Sequence, residues 1–200
     1  MSAGGRPLVI CATVLAAACA SAPIHYHTLI PLAANADIAP PIIHRNVDVE
    51  SVHIPAQVDR FELVVRERSG EMALLDNELW VASLSDEIKT ALSLELERQL
   101  GAPTLDSRGW PTAISVRLDV ERFESAPARY AFIAAAWRVR AMEGTRAITL
   151  TCNTHAYEDV SRGYDELVRG HQRAVISIAD QIAAAIRELA TQSAAECPAA

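Results

Sequence analysis

The residue types here that could do chemistry are cysteine, histidine and paired carboxylates. The cysteines are Cys11, Cys19, Cys152 and Cys197, and the histidines stand at 25, 27, 44, 53, 155 and 171. A metal site needs several ligands at set spacing on a rigid frame. The close pair His25-Tyr26-His27 lies in a proline-containing stretch, and no CxxC accompanies it, so no metal or cofactor is expected. Asp48 and Glu50, like Asp119 and Glu121, are spaced i,i+2 and share a face of a strand. Solvent-facing strand positions are commonly charged, so these pairs read as surface. No GxSxG, HExxH, P-loop or GxGxxG occurs, and no catalytic residue is assigned.

Cys19 stands apart. Arg6 is the only charged side chain before Asp37, and the apolar run 8–18 follows it. A basic n-region and a short apolar h-region are the layout of an export signal, and the run is short for a bilayer-spanning helix of about 20 residues. Leu15-Ala16-Ala17-Ala18-Cys19 resembles a bacterial lipobox, with Ala16 where leucine is usual. The reading is a signal peptide over 1–18, cleavage before Cys19, and acylation of its thiol. Two or three acyl chains hold a protein on a bilayer without a transmembrane helix. Ala20 in place of an aspartate points to the outer membrane, as lipoproteins of Gram-negative bacteria are usually sorted. The alternative is ordinary secretion with cleavage after Ala18 or Ala20 and no lipid. With Cys11 removed, Cys152 and Cys197 are an even pair in an oxidising compartment, which suggests a disulfide; the alternative is a buried free Cys152 and a loose Cys197.

The elements that position these residues follow from periodicity. The net charge of −7 gives no basic footprint for nucleic acid. Residues 19–46, with Pro23, Pro31, Pro40 and Pro41, read as a lipidated cysteine and tether, with one early strand at 25–29. The domain is placed at 47–192 and a tail at 193–200. Strands are predicted over 47–54, with a phase change that a bulge explains, then over 61–66 and 72–75. A helix follows over about 79–100, with Leu84, Ile88, Leu92, Leu96 and Leu100 four apart and Trp80 at its start. Three alternating strands, at about 114–121, 130–141 and 148–153, form an antiparallel meander. The last helix, about 164–192, carries His171 on its apolar stripe, where it reads as a hydrogen-bonded core residue. Trp110, before Pro111, opens a strand after a loop, either as a partner anchor or in a core or rim role. The fold class expected is α+β, a mostly antiparallel sheet with two helices on one face.

Residues 47–101 also carry a recognisable pattern: Val52-His53-Ile54-Pro55, then Asp59-Arg60 leading to Val64-Val65-Arg66, then Trp80-Val81-Ala82-Ser83-Leu84. With the final stretch 164–186, YDELVRGHQRAVISIADQIAAAI, it resembles the PqiC-type (YmbA-like) ABC-type transport auxiliary lipoproteins. The resemblance implies a non-catalytic docking role beside an MCE-type lipid transport system. The implied partners are an MCE-domain periplasmic protein, ABC or permease components and membrane lipid, and some relatives assemble into rings. The runner-up is a structural adaptor lipoprotein of another envelope machine, for secretion or outer-membrane assembly.

Overall fold

A computed structural model describes residues 22–32, 46–101, 114–143, 145–191 and 195–198. In chain order the elements are β1 (His25–His27), β2 (Val47–His53), β3 (Glu62–Arg66), β4 (Met72–Trp80), α1 (Leu84–Leu100), β5 (Ile114–Ala126), β6 (Tyr130–Glu143), β7 (Arg146–Asp159) and α2 (Tyr164–Thr191). The strands form two sheets, a small one ordered β1-β4-β3 and a large one ordered β2-β5-β6-β7. The predicted meander is present, with β5, β6 and β7 antiparallel in sequence. Two pairings are parallel, β1 with β4 and β2 with β5. The phase change in β2 is a register shift between Val49 and Ser51. Both helices pack on one face of the large sheet. The α+β class with two helices on one face is therefore observed.

The alternation that marks the meander also builds the core. Val116, Leu118, Val120 and Phe123 of β5 and Ile133, Ala135, Trp137 and Val139 of β6 are buried under the helices. The apolar stripes of α1 and α2 close over them through Ile88, Leu92, Val175, Ile178 and Ile182. Burial of such a side chain contributes about 1.5–3 kcal/mol.

Two boundaries differ from the sequence reading. The first helix begins at Leu84 rather than near 79, because Ser83 is its N-cap: its Oγ accepts from the Asp86 N–H at 3.3 Å and donates to Asp86 Oδ2 at 2.6 Å. Trp80 consequently closes β4 instead of opening the helix, and it is 2 % exposed. The tether is also narrower than 19–46. His25–His27 is a paired strand, and Leu29 is fully buried in the main core.

Gly170 sits inside α2, where alanine would ordinarily favour the helix by about 1 kcal/mol. A Cβ there would stand 2.4 Å from Val160 Cγ1 and 3.0 Å from Ala131 Cβ. Both neighbours are short side chains with little freedom to yield. Gly170→Ala is therefore expected to destabilise the fold by about 1–3 kcal/mol despite its better propensity. Urea titration measures this, and a stabilised variant would contradict the packing.

Candidate functional site

Three places gather the polar and reactive groups. The first is where β1 joins the body. Glu87, buried on α1, accepts from the Leu29 backbone N–H and the Thr28 hydroxyl, both at 2.8 Å. Gln172 of α2 donates to the Thr28 carbonyl at 2.9 Å. His27, 8 % exposed, meets Glu78 of β4 at 2.5 Å. The Val81 N–H donates to the His27 carbonyl. A segment of six residues is thus held by both helices and by β4. Glu87→Ala would leave the buried Leu29 N–H without an acceptor, at a cost of about 1–3 kcal/mol. The expected result is faster hydrogen exchange confined to residues 25–30 before global unfolding; unchanged protection there would contradict the clamp.

The second place is the face of the large sheet that the helices leave open. Glu50 of β2, Ser115 and Arg117 of β5 and Arg138 and Arg140 of β6 line a cleft of about 270 Å³. Arg117 Nε donates to Glu50 at 2.7 Å and holds that carboxyl below the usual range. Among the described residues neither Arg138 nor Arg140 has a carboxylate at ion-pair distance. Farther along this face Arg122 binds Glu124 at 2.7 Å and lies 4.9 Å over the Phe132 ring. The carboxylate pairs singled out in the sequence are here: Asp48, Glu50, Asp119 and Glu121 are all exposed, Glu50 on Arg117 and Asp119 beside His53 at 3.2 Å. The arginine grouping was missed in the sequence, although its signal was present as arginines alternating on adjacent strands.

The third place is buried. His171 is fully enclosed, 2.8 Å from Ser125 Oγ through Nε2 and stacked on Phe123 with ring centres 4.0 Å apart. Burial pushes its pKa from 6.5 down to about 3. This agrees with the core role read for it. The other described histidines are dispersed: His25 is exposed, and His155 lies 6.5 Å from the Phe132 ring. Among the described residues no group of three or more His, Cys, Asp or Glu is arranged to hold a metal ion.

Cys152 of β7 is joined to Cys197 by a disulfide, with sulfurs 2.06 Å apart and Cα atoms 5.6 Å apart. This links the last strand to the segment after α2. Cys19, His44 and Trp110 lie outside the described residues.

The sequence model for the ABC-type transport auxiliary lipoprotein component matches residues 27–183. The chain belongs to that family. The match runs from the last residue of β1, His27, which is clamped to Glu78, into α2. As a family member the protein is an auxiliary lipoprotein component of ABC-type transport, and the expected resemblance is met at this level. Its fold is similar to the crystal structure of an uncharacterized protein at 18 % identity, with a TM-score of 0.61, covering 82 % of this chain and 99 % of that one. It is also similar to a Xanthomonas campestris protein of the DUF330 family at 15 % identity, with a TM-score of 0.53, covering 85 % and 98 % of the two chains. At such identities these likenesses speak for the fold alone. No curated protein matches the sequence significantly.

Proposed function

We propose that this family member is a docking lipoprotein of an MCE-type, ABC-driven lipid transport system, held by acylated Cys19 on the outer membrane and facing the periplasm. The observation that carries the reading is the family match over residues 27–183, beginning eight residues after Cys19. The packing supports docking over carriage. The apolar cleft between the helices and the sheet, lined by Ile88, Leu92, Leu118, Ile133, Val175 and Ile178, leaves no room even for a water molecule. A ligand-sized site needs about 300–1,000 Å³. In this reading lipid passes beside this body rather than into that cleft. The open face with Arg117, Arg138 and Arg140 offers a cationic surface to a partner.

Two measurements test the reading. Palmitate labelling of cells is expected to mark the wild-type chain and not Cys19→Ser; an unlabelled wild type removes the anchor. A photocrosslinker at Arg140 is expected to capture an MCE-domain protein. Capture of secretion or outer-membrane assembly components alone would favour the structural adaptor role.

A further inference from the structure

Nine large apolar side chains are exposed among the described residues, and seven of them lie between residues 24 and 81, on the small sheet or in its flanks. The pairing register puts three of them, Tyr26, Met72 and Leu74, on one face. Tyr26 lies beside Leu79, Leu79 in turn beside Glu62, Val64 beside Leu74, and Arg66 beside Met72. The other face carries His27 beside Trp80, Leu63 beside Leu75 and Val65 beside Ala73, and it points into the core. The shift in register between Glu62 and Leu63 keeps Leu79 and Leu74 on the same side although they are an odd number of residues apart. On this face Tyr26 is 64 %, Leu74 47 % and Met72 44 % exposed, with Ile24 at 53 % on its rim, while Val64 beside Leu74 is covered and joins the core. Grouped exposed apolar side chains of this kind mark a surface that meets a partner or a membrane.

Where the chain leads decides between these. β1 runs parallel to β4, so its upstream end lies toward the upstream half of β4, where Met72 and Leu74 stand. Only four residues separate Cys19 from Ile24, and the five extended steps between them reach no more than about 18 Å. β1 cannot swing away from the body, because Glu87, Gln172 and Glu78 hold residues 27–30. An anchor at Cys19 is thereby kept within that distance of Ile24, on the rim of this face.

We infer that the outward face of the small sheet rests on the lipid surface, with Tyr26 at headgroup level and Ile24, Met72 and Leu74 at the acyl boundary. The inference rests on the anchoring of Cys19. Tyrosine suits such a place because its ring is apolar and its hydroxyl stays wet. The arrangement sets the orientation of the whole domain. The small sheet faces the bilayer, and the helix layer is turned from it.

The test uses the chain produced with its leader, purified in detergent and reconstituted into phosphatidylethanolamine–phosphatidylglycerol vesicles. p-Benzoylphenylalanine replaces Tyr26, Leu74 or, as a control on the exposed side of α1, Leu94. After irradiation, lipid adducts at 26 and 74 are expected at least fivefold above those at 94. Equal adducts at all three positions, or a covalent dimer through residue 26 in place of lipid, would overturn the inference. Mass analysis of the N-terminal peptide is read separately. If Cys19 carries no acyl chains, the anchoring reading fails on its own. The mature chain coupled through Cys19 to a maleimide lipid then puts the face to the same test.

Discussion

Replacing the disulfide by Cys152→Ala with Cys197→Ser is expected to lower the unfolding free energy by about 4 kcal/mol. The bridge closes a loop with a sequence separation of 45 residues. In the chain-entropy treatment a loop of that size removes about 4 kcal/mol of conformational entropy from the unfolded chain, within an observed range of roughly 0–5. The loop includes the whole of α2, which contributes one wall of the core. Two further losses add to the entropic one. Cys152 is buried opposite Trp137 in the β6–β7 register, so truncating it opens space there. Ala195 packs against the main core, and that contact depends on the tail being held. Urea unfolding of the oxidised wild type, the reduced wild type and the double variant measures the effect. The reduced wild type and the variant should agree within about 1 kcal/mol and both fall well below the oxidised chain. If all three coincide, the bridge does not constrain the folded protein. A chain made in a reducing compartment is expected to show the same deficit.

Legibility in the sequence followed the range of the forces involved. The meander and α2 could be read because their signals are local: alternation in Ile114, Val116, Leu118 and Val120, and threes and fours in Leu167, His171, Val175 and Ile178. Capping of α1 is also local, but Trp80 stands four residues before Leu84, in phase with the apolar stripe, and masks Ser83 as the boundary. The full length of β4 was hidden by Asp76, Asn77 and Glu78, whose polar run breaks alternation where the register shifts. β1 was visible only as a short possibility in a tether. His25, Tyr26 and His27 carry no apolar period, and what makes them a strand is remote, in Glu78, Glu87 and Gln172. Parallel pairing of β2 with β5 joins residues more than sixty apart and leaves no periodic mark. The same holds for the site. Cysteine types and positions suggested both a lipid anchor and a bridge, and the bridge is present in the structure. The clamp on β1 exists only once distant elements are side by side, whereas the arginines of the open face lie on consecutive strands and needed only the meander's register.

Acid is expected to destabilise this fold through His171, and His171→Gln should remove that part of the pH dependence. The sign follows from the two states. In the unfolded chain the imidazole takes a proton with a pKa near 6.5. In the folded chain burial lowers the value to about 3, so the ring stays neutral there. Above pH 6.5 both states hold a neutral ring and the full stability is present. As the pH falls below 6.5 the unfolded state binds a proton that the folded state refuses. Stability then falls by about 1.4 kcal/mol per unit until the folded ring titrates as well. The loss is about 2 kcal/mol at pH 5 and roughly 4 to 5 kcal/mol by pH 3. Nothing nearby compensates: the ring meets Ser125 Oγ and the Phe123 face, and its Nδ1 has no partner. Glutamine retains a polar group for Ser125 but cannot titrate. Carboxylates also titrate below pH 5, in wild type and variant alike, so the difference between the two stability curves isolates the histidine. Chemical denaturation from pH 7.5 to 4.5 should give curves that run parallel above pH 6.5. Below it they should approach one another at about 1.4 kcal/mol per unit as the wild type loses stability. Curves parallel over the whole range would mean that the folded imidazole accepts a proton as readily as the unfolded one, which an enclosed ring with no carboxylate beside it has no means to do.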